Sequence, residues 1–195
     1  MPVAVTSRKP CAACGAPVSR VSAERFSGEA ALDIEQDLAR VALQEKRLRF
    51  KRFDAGVAWD LGLALKAAAD ERGVGVALDI STPSYTLFSH AMEGATPDNE
   101  EWVRRKRNVT LRFHRSSYAI GLELKRDGRT MEEKHGLSAD DYMAHGGCFP
   151  VRLVGSSLVV GAITVSGLPQ REDHDLLTRT LAVFLGVTEV NVVLE

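Results

Sequence analysis

The sequence predicts an α+β domain in which helices flank one mostly antiparallel sheet of about five strands. Apolar residues recur at spacings of three and four in some segments and alternate in others, which indicates both helices and strands. Short turns join two pairs of the predicted strands, and short connections favour antiparallel neighbours. With 195 residues, 45% hydrophobic and 26% charged, the composition is typical of a single globular domain.

Residues 1–28 lack apolar periodicity, so we expect a flexible extension before a domain at 29–195. Cys11 and Cys14 have the spacing of a metal knuckle or a redox dithiol. A zinc site needs about four ligands, and no second CxxC or HxxxH pair follows. We therefore predict two unpaired thiols in a tail and no metal site.

Charge and hydropathy narrow the class of protein further. The net charge of −1 gives no general attraction to nucleic acid or to a membrane surface. No segment approaches the ~18 apolar residues of a membrane span, and no secretory signal is recognisable. A cytoplasmic setting with reduced thiols is therefore expected.

The domain is predicted to begin with two helices, at residues 29–49 and 55–72. Asp54 is suited to cap the second helix, and Arg72-Gly73 is suited to end it. A third helix is expected from Asp98, and short helical pieces within 130–145 and a last helix at about 170–186 follow. Strands are expected at 74–80, 85–91, 117–124, 149–154 and 158–165, and the tail 187–195 is either another strand or a segment that docks on a neighbouring chain.

The third helix carries an unusual block of charge. Asp98 and Glu101 have the spacing of a capping box, and Trp102, Val109 and Phe113 form an expected inward stripe. Four consecutive cations follow Val103, namely Arg104, Arg105, Lys106 and Arg107. Because successive helical residues point about 100° apart, these cations cannot all lie on one solvated face. Some must pair with acids, line a cleft or meet another subunit.

Three interpretations of this basic helix remain open. It is a solvated helix with salt bridges, an anion site for carboxylates or phosphates, or a nucleic-acid surface. The last is disfavoured by the net charge and by the lack of aromatic residues interleaved with the cations.

Two glycine-rich loops, at residues 145–150 and 166–170, are candidates to meet this helix. Glycine lets backbone amides approach a ligand, and the second loop precedes a helix N-terminus, which attracts anions. His145 has the chemistry of a general base, a metal or haem ligand, or a hydrogen-bonded loop residue. The candidate ligand-binding residues are Arg104, Arg105, Lys106, Asn108, His145, Gly146, Gly147, Ser166, Gly167 and His174, and we assign no catalytic residue.

Several motifs together resemble the UPF0303 family, within the group of haem-degrading-domain proteins of the GlcG and HbpS type. The motifs are Phe53-Asp54 with Ala58-Trp59-x-Leu61-Gly62, Gly94 to Asn99 with Trp102, Arg105-Lys106-x-Asn108, Arg112-Phe113-x-x-Ser116-Ser117, His145-Gly146-Gly147-x-Phe149-Pro150, and Val165 to Gln170 with Asp173-His174. They occur in order over roughly residues 30–186. The resemblance implies a profilin-like fold, a symmetric homo-oligomer and, in distant members, haem binding.

Three functional hypotheses follow. In the first, an oligomeric cytosolic domain holds haem or a related anionic small molecule in a cleft between the basic helix and the two loops. Arg104 to Arg107 would serve the propionates, and His145 or His174 would be axial. In the second, the protein is a haem-degrading or other small-molecule enzyme that uses His145 as acid and base. In the third, Asp98, Arg105 and Lys106 hold a subunit interface, and there is no ligand.

Overall fold

The computed structural model describes the backbone of residues 20–187 and the side chains of residues 33–187. Within these residues the chain forms six helices and four strands. The helices are α1 (Arg20–Arg47), α2 (Ala55–Arg72), α3 (Pro97–Phe113), α4 (Ser117–Asp127), α5 (Met131–His135) and α6 (Gln170–Leu185), and the strands are β1 (Ala77–Ser81), β2 (Thr86–Ala91), β3 (Cys148–Arg152) and β4 (Val159–Ser166). The predicted fold class, helices flanking an antiparallel sheet, is confirmed. The first helix begins at Arg20 rather than at residue 29, and Cys11, Cys14 and the tail 188–195 lie outside the described residues.

The sheet has the strand order β2-β1-β4-β3, and every neighbouring pair is antiparallel. Leu78 of β1 pairs with His90 of β2 on one side and with Val165 of β4 on the other. The two hairpin-like turns expected from the sequence therefore join β1 to β2 and β3 to β4. The described sheet has four strands rather than the expected five.

The missing strand is the segment 117–124, which forms the first part of α4. The Ser116 hydroxyl accepts a hydrogen bond from the Ala119 amide at 3.1 Å, and Gly128 ends the helix in the left-handed conformation. Alternation of apolar and small residues predicted a strand here. The alternation misled because α4 is buried over most of its circumference, between α1 and α3, and so needs apolar residues on several faces.

The two faces of the sheet differ in chemistry. The face under α2 and α6 is apolar, with Leu78 and Ile163 among its buried residues. The opposite face lies under α3 and carries the alternate side chains, several of which are polar. This polar layer consists of the buried residues Asp79, Ser81, Cys148, Thr164 and Ser166. The polar layer fixes where α3 packs, because each of its groups needs a hydrogen-bond partner.

Helix α3 begins two residues earlier than the sequence predicts. Thr96 is its N-cap residue, and the Asn99 side chain accepts a hydrogen bond from the Thr96 amide at 2.7 Å. The predicted capping box of Asp98 with Glu101 is therefore wrong, and Asp98 instead accepts a hydrogen bond from the indole of Trp102 at 2.9 Å.

The inward face of α3 also differs from the expected stripe. Val109 is buried as predicted, but Trp102 and Phe113 are only half-buried. The buried positions are Val103, Lys106, Val109 and Thr110. A lysine thus occupies a core position, because it faces the polar layer rather than an apolar surface.

None of the helices within residues 20–187 combines the length and the apolar character that a membrane-spanning helix requires.

Candidate functional site

The basic helix and the two glycine-rich loops meet at one cleft. The cleft has a volume of about 330 Å³ and lies between α3, the loop that precedes β3 and the loop between β4 and α6. Its lining residues are Asn99, Trp102, Lys106, His145, Ser166, Gly167, Leu168, Pro169, Gln170 and Asp173. The expected meeting of the three segments is therefore observed in the fold.

The floor of the cleft is a buried ion pair. Lys106 Nζ lies 2.7 Å from Asp173 Oδ2, and these side chains are only 3% and 1% exposed. Lys106 Nζ also donates to the Val165 carbonyl at 3.2 Å and to Ser166 Oγ at 3.3 Å. The Leu168 amide donates to Asp173 at 2.9 Å, and burial raises the pKa of this carboxyl group. The pair ties α3 to the first turn of α6.

One wall of the cleft is aromatic. The rings of His145 and Trp102 lie 5.1 Å apart at an interplanar angle of 35°. The guanidinium carbon of Arg105 lies 4.6 Å from the centre of the Trp102 ring, a cation–π contact. Trp102 is thus contacted by a histidine and by an arginine, and its indole N–H is held by Asp98.

The imidazole of His145 is neutral, and its ring nitrogens are available to a ligand. Burial lowers the pKa of its imidazole, and the charges of Lys106 and Arg105 lower it further. Within the side chains that the structure describes, neither ring nitrogen of His145 has a hydrogen-bond partner. A neutral imidazole with a free nitrogen lone pair is the form that binds metal ions.

The glycines of the two loops serve backbone packing. A Cβ atom on Gly146 would lie 2.0 Å from the Gln170 carbonyl oxygen, and one on Gly147 would lie 2.4 Å from that of Val165. Gly147 also has a φ of +113°, and its carbonyl accepts a hydrogen bond from the Val165 amide at 2.7 Å. The sequence predicts that these glycines let a ligand approach the backbone. In the structure they instead allow close approach of the carbonyl groups of Val165 and Gln170.

Of the ten candidate residues, four line the cleft, namely Lys106, His145, Ser166 and Gly167. Arg104 and Asn108 turn toward the 140–141 turn. Arg104 donates to the Asp141 carboxylate at 2.8 Å, and Asn108 donates to the Asp141 carbonyl at 2.9 Å. Arg107 pairs with Asp79 at 3.0 Å. The inference that the four consecutive cations need several different partners thus matches the observed contacts.

His174 lies in the core rather than at the cleft. Its Nε2 atom is 2.8 Å from the Gln44 side-chain oxygen, and its ring packs against Tyr118 at 4.9 Å. Complete burial lowers the pKa of His174 to about 3. The imidazole is therefore neutral at physiological pH and has no exposed surface.

Sequence reasoning missed two important residues of the site. The apolar stripe places Trp102 in the core, and Asp173 stands out only as part of the motif that also contains His174. Asp173 lies 67 positions after Lys106, so no local spacing connects the two. The one signal in the sequence is the spacing of Lys106, which falls on the same inward stripe as Trp102 and Val109, because a lysine at a core position needs a carboxylate to face it.

Comparison with known proteins identifies the family. Residues 53–182 match the family described as haem degrading protein HbpS-like. The chain belongs to this family. Within it, the chain is 53% identical over 155 residues to a UPF0303 protein of Rhizobium leguminosarum, covering 80% of this chain and 93% of the relative. The resemblance inferred from the motifs is thereby confirmed.

Solved structures share the fold. The Ybr137w protein is 33% identical with a TM-score of 0.72, and the match covers 76% of this chain and 87% of that protein. The protein of a PduOC–haem complex has a TM-score of 0.58 at 14% identity, with 67% of this chain and 93% of that chain covered. At this identity the second likeness shows the fold alone.

Proposed function

We propose that the protein is a haem-binding domain that holds haem, or a related planar anionic molecule, at the cleft beside α3. The single observation that supports it most is His145, whose imidazole is neutral, exposed at the cleft and without a hydrogen-bond partner among residues 33–187. Histidine is a common axial ligand of haem iron. The family and the fold shared with a haem complex make haem the first ligand to test.

The residues around His145 fit such a molecule. Trp102, Leu168 and Pro169 provide apolar surface along the cleft. Arg105 donates through Nε to the Glu101 carbonyl, and its terminal nitrogens have no partner among residues 33–187. A guanidinium group with two free donors matches a carboxylate such as a haem propionate. A volume of about 330 Å³ is at the lower end for ligand sites, so one edge of haem would extend beyond the cleft.

This proposal narrows the set of candidate residues. Lys106 is neutralised by Asp173, and Arg104 by Glu101 and Asp141, so neither offers a free charge. Arg105 remains as the cation for the ligand. His145 is favoured over His174 as the axial group, because His174 is enclosed in the core.

Titration with haemin tests the proposal. A saturable shift of the Soret band is expected in the wild-type protein, with a spectrum typical of histidine coordination. His145→Ala should change that spectrum and weaken binding, and Arg105→Ala should weaken binding without changing the coordination. His90→Ala, on the edge strand β2, is the matched control and should behave as the wild type. If His145→Ala leaves both the spectrum and the affinity unchanged, the assignment of His145 is wrong.

The same samples separate the alternatives. A Soret band that decays when a reductant is added under oxygen supports a haem-degrading enzyme. The absence of any saturable shift removes haem as the ligand. If Arg105→Glu then breaks an oligomer that the wild type forms, the interface hypothesis replaces the binding hypothesis. We also propose that the protein is a homo-oligomer in the cytoplasm, in agreement with the resemblance.

A further inference from the structure

A second pocket lies at the end of the sheet opposite the cleft. It has a volume of about 320 Å³ and is formed by the last turns of α1, the end of β3 and the turn between β3 and β4. Its lining residues are Ala42, Glu45, Lys46, Arg49, Arg152 and Ser157. Arg152 faces Val159 at the start of β4, whereas Ser166, at the end of β4, lines the cleft. The length of β4 therefore separates this pocket from the proposed haem site.

Three of the six lining residues are cations, and two parts of the chain supply them. Lys46 lies on the face of α1 that also carries Ala42 and Glu45, because these positions are three and four residues apart. Arg49 follows the end of this helix, and Arg152 is the last residue of β3. The pocket thus brings together positive charges that are about a hundred positions apart in the sequence.

Backbone carbonyl groups hold the two arginines and leave part of each guanidinium group free. Arg49 donates through Nη1 to the Ser156 carbonyl at 2.7 Å and through Nε to the Lys46 carbonyl at 3.2 Å. Arg152 donates through Nη2 to the His114 carbonyl. Carbonyl groups carry no net charge, so these contacts position the arginines without neutralising them. Neither arginine has an ion pair with any residue from 33 to 187.

The carboxylates near the pocket do not balance its positive charge. Glu45 lines the pocket, but its Oε1 atom accepts a hydrogen bond from the Ser116 amide at 2.7 Å, and its Oε2 atom lies 3.4 Å from Nε of Arg115. Arg115 also pairs with Glu123 at 2.6 Å. When Arg115 is counted with the three lining cations, four positive charges meet two carboxylates, and two positive charges remain unbalanced.

The unbalanced charge acts on Arg152. Burial lowers the pKa of its guanidinium group, and the charges of Arg49 and Arg115 also lower it, whereas Glu45 acts in the opposite direction. Neighbouring cations lower a pKa because they repel the charged form of the group, and a bound anion would relieve this repulsion. The helix macrodipole accounts for a cation in the last turn of α1, such as Lys46, but it does not account for Arg152 on a strand.

From this charge and shape we infer that the pocket binds the phosphate group of a small molecule. A phosphate dianion matches the two unbalanced positive charges, and the remaining N–H groups of Arg49 and Arg152 are donors with the planar geometry that phosphate oxygens accept. The Lys46 ammonium group and the Ser157 hydroxyl group are further donors at the pocket. A volume of about 320 Å³ accommodates one phosphate group with a small organic part. A nucleic-acid strand would instead require a basic groove that follows successive phosphates.

Isothermal titration calorimetry at constant pH and ionic strength tests the inference with inorganic phosphate and with ribose 5-phosphate. The wild-type protein should bind phosphate saturably at one site per chain. Tighter binding of the ester identifies a phosphorylated metabolite as the ligand, equal affinities identify free phosphate, and both results support the inference. Acetate, a singly charged carboxylate, should bind at least tenfold more weakly. No saturable binding of either phosphate compound, or equal affinity for acetate, would overturn the inference.

Two variants locate the binding at this pocket. Arg152→Gln removes a guanidinium group, and Lys46→Glu reverses a charge on an exposed side chain that has no hydrogen bond or ion pair with residues 33–187. Each should weaken phosphate binding roughly tenfold or more, as expected for the loss of a charge-assisted hydrogen bond. The matched control is Arg126→Gln on α4, outside the pocket, which should bind phosphate as the wild type does.

The variants also separate this pocket from the cleft. Haemin binding should be the same in Arg152→Gln, Lys46→Glu and the wild type, so the two sites can succeed or fail independently. Equal weakening of phosphate binding in Arg126→Gln would show a general attraction of anions and refute the inference. If Arg152→Gln does not fold, Lys46→Glu alone decides the result. Either variant, if it folds and still binds phosphate as the wild type does, shows that the inference is wrong.

Discussion

Removal of either partner of the Lys106–Asp173 pair should destabilise the protein far more than removal of both. The pair lies at 2.7 Å with both side chains almost fully buried, and it connects α3 with the first turn of α6. Lys106→Met leaves a buried carboxylate, and Asp173→Asn leaves a buried ammonium group. Each single change therefore creates an uncompensated charge in a region that water does not reach.

The expected magnitude follows from the distance. Two unit charges 2.7 Å apart attract by about 6 kcal/mol at an effective dielectric constant of about 20. Desolvation of both groups offsets much of this attraction, so the intact pair contributes little net stability. We expect each single variant to lose about 3–5 kcal/mol, because it loses the attraction but still leaves one ion buried. The double variant should stay within about 2 kcal/mol of the wild type.

Urea denaturation followed by circular dichroism measures these free energies of unfolding, and the double-mutant cycle gives the coupling. Arg104→Met is the matched control, since it removes an exposed ion pair with Asp141 at 2.8 Å from the same helix. The control should cost less than about 1 kcal/mol. Single variants that each cost less than about 1 kcal/mol, or a double variant whose loss equals the sum of the two, would refute the reasoning.

Two further predictions concern the core and the loops. Burial lowers the pKa of His174 to about 3, whereas the unfolded side chain titrates near pH 6.5. Between these two pH values the unfolded state binds more protons than the folded state. The free energy of unfolding should therefore fall by about 1.4 kcal/mol for each pH unit from about pH 6.5 down to pH 3. This slope should decrease by about that amount in His174→Gln but not in the surface control His135→Gln, and equal slopes in all three proteins would contradict it. Gly147→Ala should cost more than about 3 kcal/mol in thermal or urea unfolding, because its Cβ would lie 2.4 Å from the Val165 carbonyl oxygen at a φ of +113°. Gly136→Ala, with a φ of +67° and open space around the added Cβ, should cost only about 1–2 kcal/mol, and a similar loss for both variants would show that packing of the loops is not what requires Gly147.

Helix ends that are set by capping residues could be predicted from the sequence. The bounds of α2 follow from Asp54 and Gly73, and the structure shows both caps with the expected geometry. The segment 117–124 was misjudged because its alternation agreed with a strand. Ser116 and Gly128 are typical helix-capping residues, and their positions at the two ends of this segment also indicate a helix.

The segments that form the site could be predicted from the sequence, but the ion pairs within it could not. Glycine-rich loops and a charged helix each stand out in the sequence, and they meet at the cleft. Which cation remains available for a ligand depends on partners such as Asp141 and Asp173, which lie 37 and 67 positions away from their cations. Such contacts are set by how α3 and α6 pack on the sheet, and no spacing in the sequence records them.

The protein has two tryptophans, and only one of them lies at the cleft. Trp102 packs against His145 there, whereas Trp59 lies exposed on α2. In a Trp59→Phe protein the tryptophan emission therefore comes from the cleft alone. Ligand binding can thus be followed in solution by fluorescence without any added label.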